Sequence, residues 1–526
     1  MSDAESIAPV RGPALATHGM VASEHPLATQ AGLAVLRAGG NAFDAALAVS
    51  AVLTVVKPHR SHLGGDAFVL VRPADSGEVT AVCSGGKAPA AATRERYAGG
   101  IPAHGGAACA VPGLVDAWQV ISDRWCSRPL AALLEPAVGY AREGFGVSRE
   151  LAATLDNARG FFAKYPGMAR ALFVDGAPPR FGARFRQPDL ARTLETIARE
   201  GRAGFYEGPV ARRIAEDVQS AGGCLTAEDL SAHRADVLEP LAAEYRGCTV
   251  YETPPNSQGV ILLEELRILE GFDLAGWGRL SADALHHMIE AKKLAFEDRR
   301  RYAGDPAETG FDARSLLTDA HIAARRAAID RRRAAPRAEP VATSDTTSFV
   351  VVDAAGNVCS FIQSIFAHFG AAVAIEGTGI IMNNRMTGFS LDPASPNALA
   401  PGKRTMHTLN TWLAERDGRP WLVGNTPGAD FQVQTNLQVL TAIIDHGLDP
   451  QAAVDAPRWG HTPDAVLVEA GIPEATQLEL AARGHVLRPV ARATNPTGRA
   501  QCIEIRDDGV LIGGSDSRGE GSAAGW

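Results

Sequence analysis

The stretch SDTTSFVVVDAAGNVCSFIQS, Ser344 to Ser364, decides the fold. It reads as a hairpin from Thr346 to Ser364, with strand-like runs either side of the turn Ala354-Ala355-Gly356-Asn357. Apolar and polar residues alternate only loosely along Ser348–Asp353, and on residue type alone β-propensity accounts for the paired threonines. Position adds a second meaning. The hairpin follows the basic run HIAARRAAIDRRRAAPRAEP, His321 to Pro340, which reads as a solvated helix face passing through Pro336 and Pro340 into a mobile linker rather than as a nucleic-acid patch. Thr346 therefore begins a sheet directly after a Pro-containing segment. If the Asp345–Thr346 bond is cut, a threonine there carries nucleophile and base together: the hydroxyl attacks and the freed α-amine, of ordinary pKa about 7.7 to 8, takes the proton.

The 526 residues exceed one ordinary core, so two lobes or one large layered α/β body are expected. Apolar content of 46% with 21% charged residues describes a soluble globular chain. A formal charge of -9 argues against nucleic acid or an anionic membrane as partner and leaves small substrates unconstrained. The cysteines, Cys83, Cys109, Cys126, Cys224, Cys248, Cys359 and Cys502, are scattered, odd in number and without CxxC spacing, as expected of reduced core residues. The N-terminal residues lack the apolar segment of a secretion signal, which makes the cytoplasm the expected location. The apolar run AALAVSAVLTVV, Ala45 to Val56, is too short for a bilayer and reads as a buried helix.

Working outward, HPLATQAGLAVLRAGGNAFDAALAVSAVLTVVKPH predicts two helices broken at Gly39-Gly40, with Asn41 capping the second. A hairpin is expected from Phe68–Arg72 and Glu78–Cys83, a mainly helical layer from Leu114 to about Arg300 interrupted by a strand at CTVYETPP, and a further strand at GTGIIMNN, Gly377 to Asn384. Neither His59, His62 and Asp66 nor His286 and His287 have a recognised metal-ligand spacing, so no metal is expected. The glycine pairs lack the nucleotide-binding patterns, and no cofactor is expected. His59, His62 and His407 remain open as substrate-orienting or simply packed residues.

The motifs GMVASEHPLATQAGLAVLRAGGNAFDAALA, LGGDAFVLV, VPGLVDAW, YETPPNSQG, DTTSFVVVDAAGNV, GTGIIMNNRMTGFSLDP, TPGADFQVQTNLQV and GGSDSRGEG, in this order, resemble the γ-glutamyltransferase family of self-cleaving N-terminal-nucleophile (Ntn) hydrolases nearly end to end. The resemblance implies a four-layer αββα sandwich formed jointly by a large segment, 1–345, and a small segment, 346–526. It implies cleavage between Asp345 and Thr346, giving a heterodimer of the chain's own two products. It places the nucleophile on Thr346, helper hydroxyls on Thr347 and Ser364, and the amides that receive the developing oxyanion on Gly428 and Ala429, where the family has two glycines.

The pocket departs from the glutathione-cleaving members. Their arginine clamp for the donor α-carboxylate falls on Gly85, their glutamine on Arg385, their amine-holding aspartate on Gly388, their serine pair on His407-Thr408 and an asparagine on Phe366. These losses imply an amide substrate with a carboxylate but no glutamyl-type amine, with Arg385 as its cation and oxamate-amidohydrolase-like branches as the nearer comparison. An Arg385 paired to an acid inside the fold is the competing reading. The expected activity is that of an amidohydrolase or acyltransferase; the alternatives are a glutathione hydrolase proper and an uncleaved, non-catalytic binding scaffold.

Overall fold

The computed structural model describes residues 11–336, 346–492 and 496–526. Two seven-stranded sheets face each other. In spatial order one comprises Ala14–Ala16, Leu511–Ser515, Gln501–Ile505, Arg419–Asn425, Trp412–Arg416, Cys248–Glu252 and Leu241–Tyr245. The other comprises Ser522–Gly525, Met20–Ser23, Thr347–Val352, Val358–Ser364, Asp66–Arg72, Thr80–Ser84 and Asp236–Leu238. The hairpin that follows Thr346 thus lies at the centre of its sheet, between Met20–Ser23 and Asp66–Arg72 from early in the chain.

Three apolar layers follow from strand parity. Val350, Val352, Val358 and Ile362 meet Leu413, Val423 and Ile503 between the sheets. Phe349, Val351, Cys359 and Phe361 turn the other way, against helices. Both faces of the hairpin are buried, so neither needs polar residues and the sequence alternation is weak. Phe349 and Phe361, opposite each other in the ladder, stack with ring centroids 4.9 Å apart.

The helices Pro26–Arg37 and Ala42–Val56 cover that outer face. Gly39 takes φ +84° between them and Asn41 closes a capping box with Asp44. Every residue of the second helix is buried, which explains an apolar composition all round. On the far side, Gly259–Leu269, Ala282–Tyr302 and Phe431–Ile444 pack on the first sheet. The order is helix, sheet, sheet, helix: the αββα sandwich expected above.

The strand expected at Gly377 to Asn384 does not form. Gly377 and Gly379 take φ of +73° and +69° and turn the chain. The amides of Ile381, Met382 and Asn383 donate to His62 Nδ1, Val373 O and Gly64 O rather than to a neighbouring ladder. Among the described residues no helix is long and apolar enough to cross a membrane.

Candidate active site

The register of the second sheet assembles a row of residues at one end. Thr347 pairs with Gln363, which brings Thr346 opposite Ser364; Ser364 pairs with Asp66. Ser84 pairs with Ala67, which sets Gly85 beside Asp66. Adjacent strands lie about 4.8 Å apart, so Thr346, Ser364, Asp66 and Gly85 follow one another in roughly strand-width steps. At the same end, strands of the facing sheet lead into the segments bearing His407-Thr408 and Gly428-Ala429.

Thr346 is fully buried and its Oγ1 has no hydrogen-bond partner among the described residues. Thr347 Oγ1 lies 3.5 Å from Gln363 O. Ser364 Oγ accepts the amide of Phe366 at 2.7 Å, holding the chain as it leaves the strand. Behind the nucleophile strand, buried Glu24 accepts the Ser348 amide at 2.7 Å and faces Arg60. Burial pushes its carboxyl up to about 7, against the pull of the Arg60 and Lys57 charges.

Gly428 sits at φ +124° and Ala429 at φ +49°, between the strand Arg419–Asn425 and the helix Phe431–Ile444. The first conformation demands glycine; the second tolerates alanine at a modest energetic cost. Gln258 braces this turn. Its Nε2 donates to Ala429 O at 3.1 Å and to Thr408 O at 2.8 Å, while its Oε1 accepts from Arg299 Nη1 at 2.7 Å. Arg299 also pairs with Asp430.

Arg385 does not stand free. Its Nε donates to Asp66 Oδ2 at 3.1 Å, and its guanidinium lies 4.3 Å from the ring centroid of Phe366, a residue held at φ +77°. His407 Nε2 donates to the same Oδ2 at 3.1 Å, and Gly86 N donates to Oδ1 at 3.0 Å. The amide of Leu409 approaches His407 Nδ1 at 3.4 Å, which matches a neutral ring protonated on Nε2. Burial, then the Arg385 charge, lowers His407 to about 4 in spite of Asp66. Burial alone would raise Asp66; the His407 hydrogen bond, the Arg385 charge and the Gly86 amide together hold it below its ordinary value. The group is one buried ion pair with a neutral imidazole attached.

Two donors remain over: Arg385 Nη2 and Thr408 Oγ1 are buried without partners among the described residues. Gly85 packs so closely that an added Cβ would stand 3.2 Å from His407 Cδ2 and 3.3 Å from Asn256 Nδ2. At Gly388 a Cβ would meet Thr405 Oγ1 at 2.8 Å. His62 is taken up by the Ile381 amide, and His59 lies in the Arg60–Glu150 network, so neither is aimed at the row. Asp345 falls outside the described residues.

Sequence reasoning passed over Asp66 as the partner of Arg385, and Gln258, Arg299 and Asp430 as the brace of the turn. Asp66 had a usable signal: it begins a strand next to a glycine pair, yet is an acid with no place in a buried ladder.

Residues 28–526 match the family Gamma-glutamyltranspeptidase. The glutathione hydrolase-like YwrD proenzyme of Bacillus subtilis is 38% identical, over 97% of this chain and 99% of its own length. The oxamate amidohydrolase proenzyme of Klebsiella pneumoniae is 37% identical, over 97% and 99%. A cephalosporin acylase from Bacillus halodurans superposes with a TM-score of 0.93 at 37% identity, covering 100% of this chain and 99% of its own. With a sandwich of this architecture and a match over nearly its whole length, the chain belongs to the γ-glutamyltranspeptidase family of Ntn-hydrolase enzymes.

Proposed function

We propose that the protein is an autoprocessing amidohydrolase that cleaves a small carboxylated amide through an acyl ester on Thr346. The observation that carries this reading is the set of buried donors without partners among the described residues at one end of the sandwich: Thr346 Oγ1, Arg385 Nη2 and Thr408 Oγ1. A buried polar atom without a partner is destabilising by about 1 to 3 kcal/mol, so several at one end suit a place where a ligand completes the bonding. The proenzyme names of the relatives support processing into two chains.

In processing, Thr346 Oγ attacks the carbonyl carbon of residue 345, the acyl group moves from nitrogen to oxygen, and water hydrolyses the ester to leave a free α-amine. In turnover the same oxygen attacks the substrate carbonyl. Its proton passes through the α-amine to the leaving nitrogen, the C–N bond breaks, and water or an amine then releases the acyl group. The amides of Gly428 and Ala429, held by Gln258, face the developing oxyanion. The substrate carboxylate meets Arg385 Nη2, with Thr408 Oγ1 as a second donor, and Gly388 leaves a glutamyl amine without an acid. The names of the relatives include an oxamate amidohydrolase and a cephalosporin acylase as well as a glutathione hydrolase-like protein, so the acyl group is chosen by the pocket and not by the fold.

Purified protein should run as two chains, the smaller beginning at Thr346, and Thr346→Ala should stay a single chain of 55.2 kDa. Cleavage at that bond in Thr346→Ala would remove the assignment. A screen of oxamate, N-acyl amino acids, γ-glutamyl anilides and glutathione then tests the substrate class; efficient glutathione turnover would contradict it.

A further inference from the structure

A second constellation lies in the helical layer, outside the row described above. Glu264 on the helix Gly259–Leu269, Asp298 on Ala282–Tyr302 and His321 on Asp319–Ala327 converge, with ligand-type atoms all within 4.8 Å of one another. His321 Nε2 lies 3.1 Å from Glu264 Oε1 and 3.1 Å from Asp298 Oδ2. The two carboxylates are fully buried, while the imidazole is 22% exposed.

Protein groups alone serve this arrangement poorly. Nε2 carries at most one proton, so it satisfies one of the two carboxylate oxygens and shares that proton with the other. Arg325 Nη2 is committed to the opposite oxygen of Asp298. Among the described residues Glu264 Oε2 has no partner, and neither oxygen of the adjacent buried Glu265 has one. Two carboxylate oxygens, each 3.1 Å from His321 Nε2 and all three atoms within 4.8 Å of one another, match the edge of a coordination shell with metal–ligand bonds of about 2.0 to 2.2 Å. Arg325, holding the outer oxygen of Asp298, orients that ligand as hydrogen-bonded partners of metal-bound carboxylates do.

We propose that Glu264, Asp298 and His321 form a binding site for a divalent transition-metal cation, of the Mn²⁺ or Zn²⁺ type, that joins three helices of the large segment. Two carboxylate oxygens and one imidazole suit those ions rather than a soft, thiolate-seeking one. Entry is through the exposed side of His321, where water would complete the shell. The site is structural: Asp298 neighbours Arg299, which holds Gln258 and Asp430, so a cation here stiffens the brace of the Gly428-Ala429 turn.

The test uses the full chain, stripped with chelator and titrated with Mn²⁺, free ion being followed by electron paramagnetic resonance. One bound equivalent is expected, with nitrogen modulation from a coordinated imidazole, and Mn²⁺ should raise the thermal midpoint. Glu264→Gln and His321→Gln should each weaken binding by more than about 100-fold, beyond the loss of an outer orienting partner. His485→Gln, at the other group of His286, Glu290 and His485, should leave the stoichiometry unchanged. Wild type that binds no equivalent, binding without nitrogen modulation, or binding abolished by His485→Gln but kept in the other two variants would overturn the proposal. The first two readouts use wild type alone and hold if a variant fails to fold.

Discussion

Replacing Arg385 by methionine keeps most of its bulk and removes the charge, and two consequences separate. The first is on stability. Asp66 would keep His407 and the Gly86 amide but lose the Arg385 cation, and breaking one side of a buried pair is destabilising by about 3 to 5 kcal/mol. Asp66→Asn in the same chain removes the stranded charge, so the double variant should recover most of that loss. The second is on catalysis. If Nη2 receives the substrate carboxylate, its loss weakens binding by about 2 to 5 kcal/mol, or roughly 30-fold to several thousand-fold in kcat/KM at about 1.4 kcal/mol per tenfold. The double variant should not recover this. A contact equally strong in ground and transition states appears mainly as a raised KM. The assay compares kcat/KM for oxamate and for an uncharged amide of similar size, with thermal unfolding of each variant in parallel. Equal losses on both amides, or activity regained together with stability in the double variant, would show that Arg385 serves the fold alone and would refute the carboxylate assignment.

Ala429→Gly should retain activity and change stability by less than about 1 kcal/mol, since it keeps the amide and relieves φ +49° while loosening the unfolded chain; a loss beyond about tenfold in kcat would place the oxyanion elsewhere. Gly85→Arg should destabilise the protein without conferring γ-glutamyl turnover, because the new side chain begins 3.2 Å from His407; thermal unfolding and a γ-glutamyl anilide assay check both. His407, lowered to about 4, titrates below its unfolded value of about 6.5, so its neutral form is favoured by folding. Its contribution is present above pH 6.5 and lost as pH falls toward 4, at up to about 1.4 kcal/mol per unit. Unfolding of wild type minus His407→Gln should show that slope; a difference flat across the window would mean that His407 is charged in the fold.

How far the sequence carried can be judged residue by residue. The helix pair around Gly39 and the hairpin after Thr346 were legible because capping, glycine stops and turn chemistry are local. The Gly377 to Asn384 segment was misread because Ile380, Ile381 and Met382 are apolar for burial rather than for a ladder, and burial does not say which partner takes the amides. At the site, the position of Thr346 directly before the strand Thr347–Val352 was legible, and its catalytic role is the proposal made above. Asp66 was not, since its pairing with Arg385 and His407 spans 319 and 341 positions in the chain and no local pattern encodes it. Glu264, Asp298 and His321 were missed for the same reason: each lies on its own helix, and their spacing resembles no ligand motif.

The pocket substitutions belong together physically. With glycine at 85, the His407 ring fills the space beside Asn256 and Phe68, its centroid 4.6 Å from that of Phe68. From there its Nε2 reaches Asp66, and Asp66 in turn holds the Arg385 guanidinium. A cation at 385 without Asp66 would be an uncompensated buried charge, and Asp66 without His407 would lose one of its three donors. Thr405 leaves no room for a side chain at Gly388, where an added Cβ would stand 2.8 Å from its Oγ1. No single replacement is expected to build a glutamyl pocket here: an arginine at 85 would begin 3.2 Å from the imidazole, and an aspartate at 388 would begin 2.8 Å from Thr405 Oγ1 and add a negative charge to the segment that carries Arg385. Change of substrate in this scaffold is therefore expected to require several coordinated replacements, with the nucleophile row left as it is.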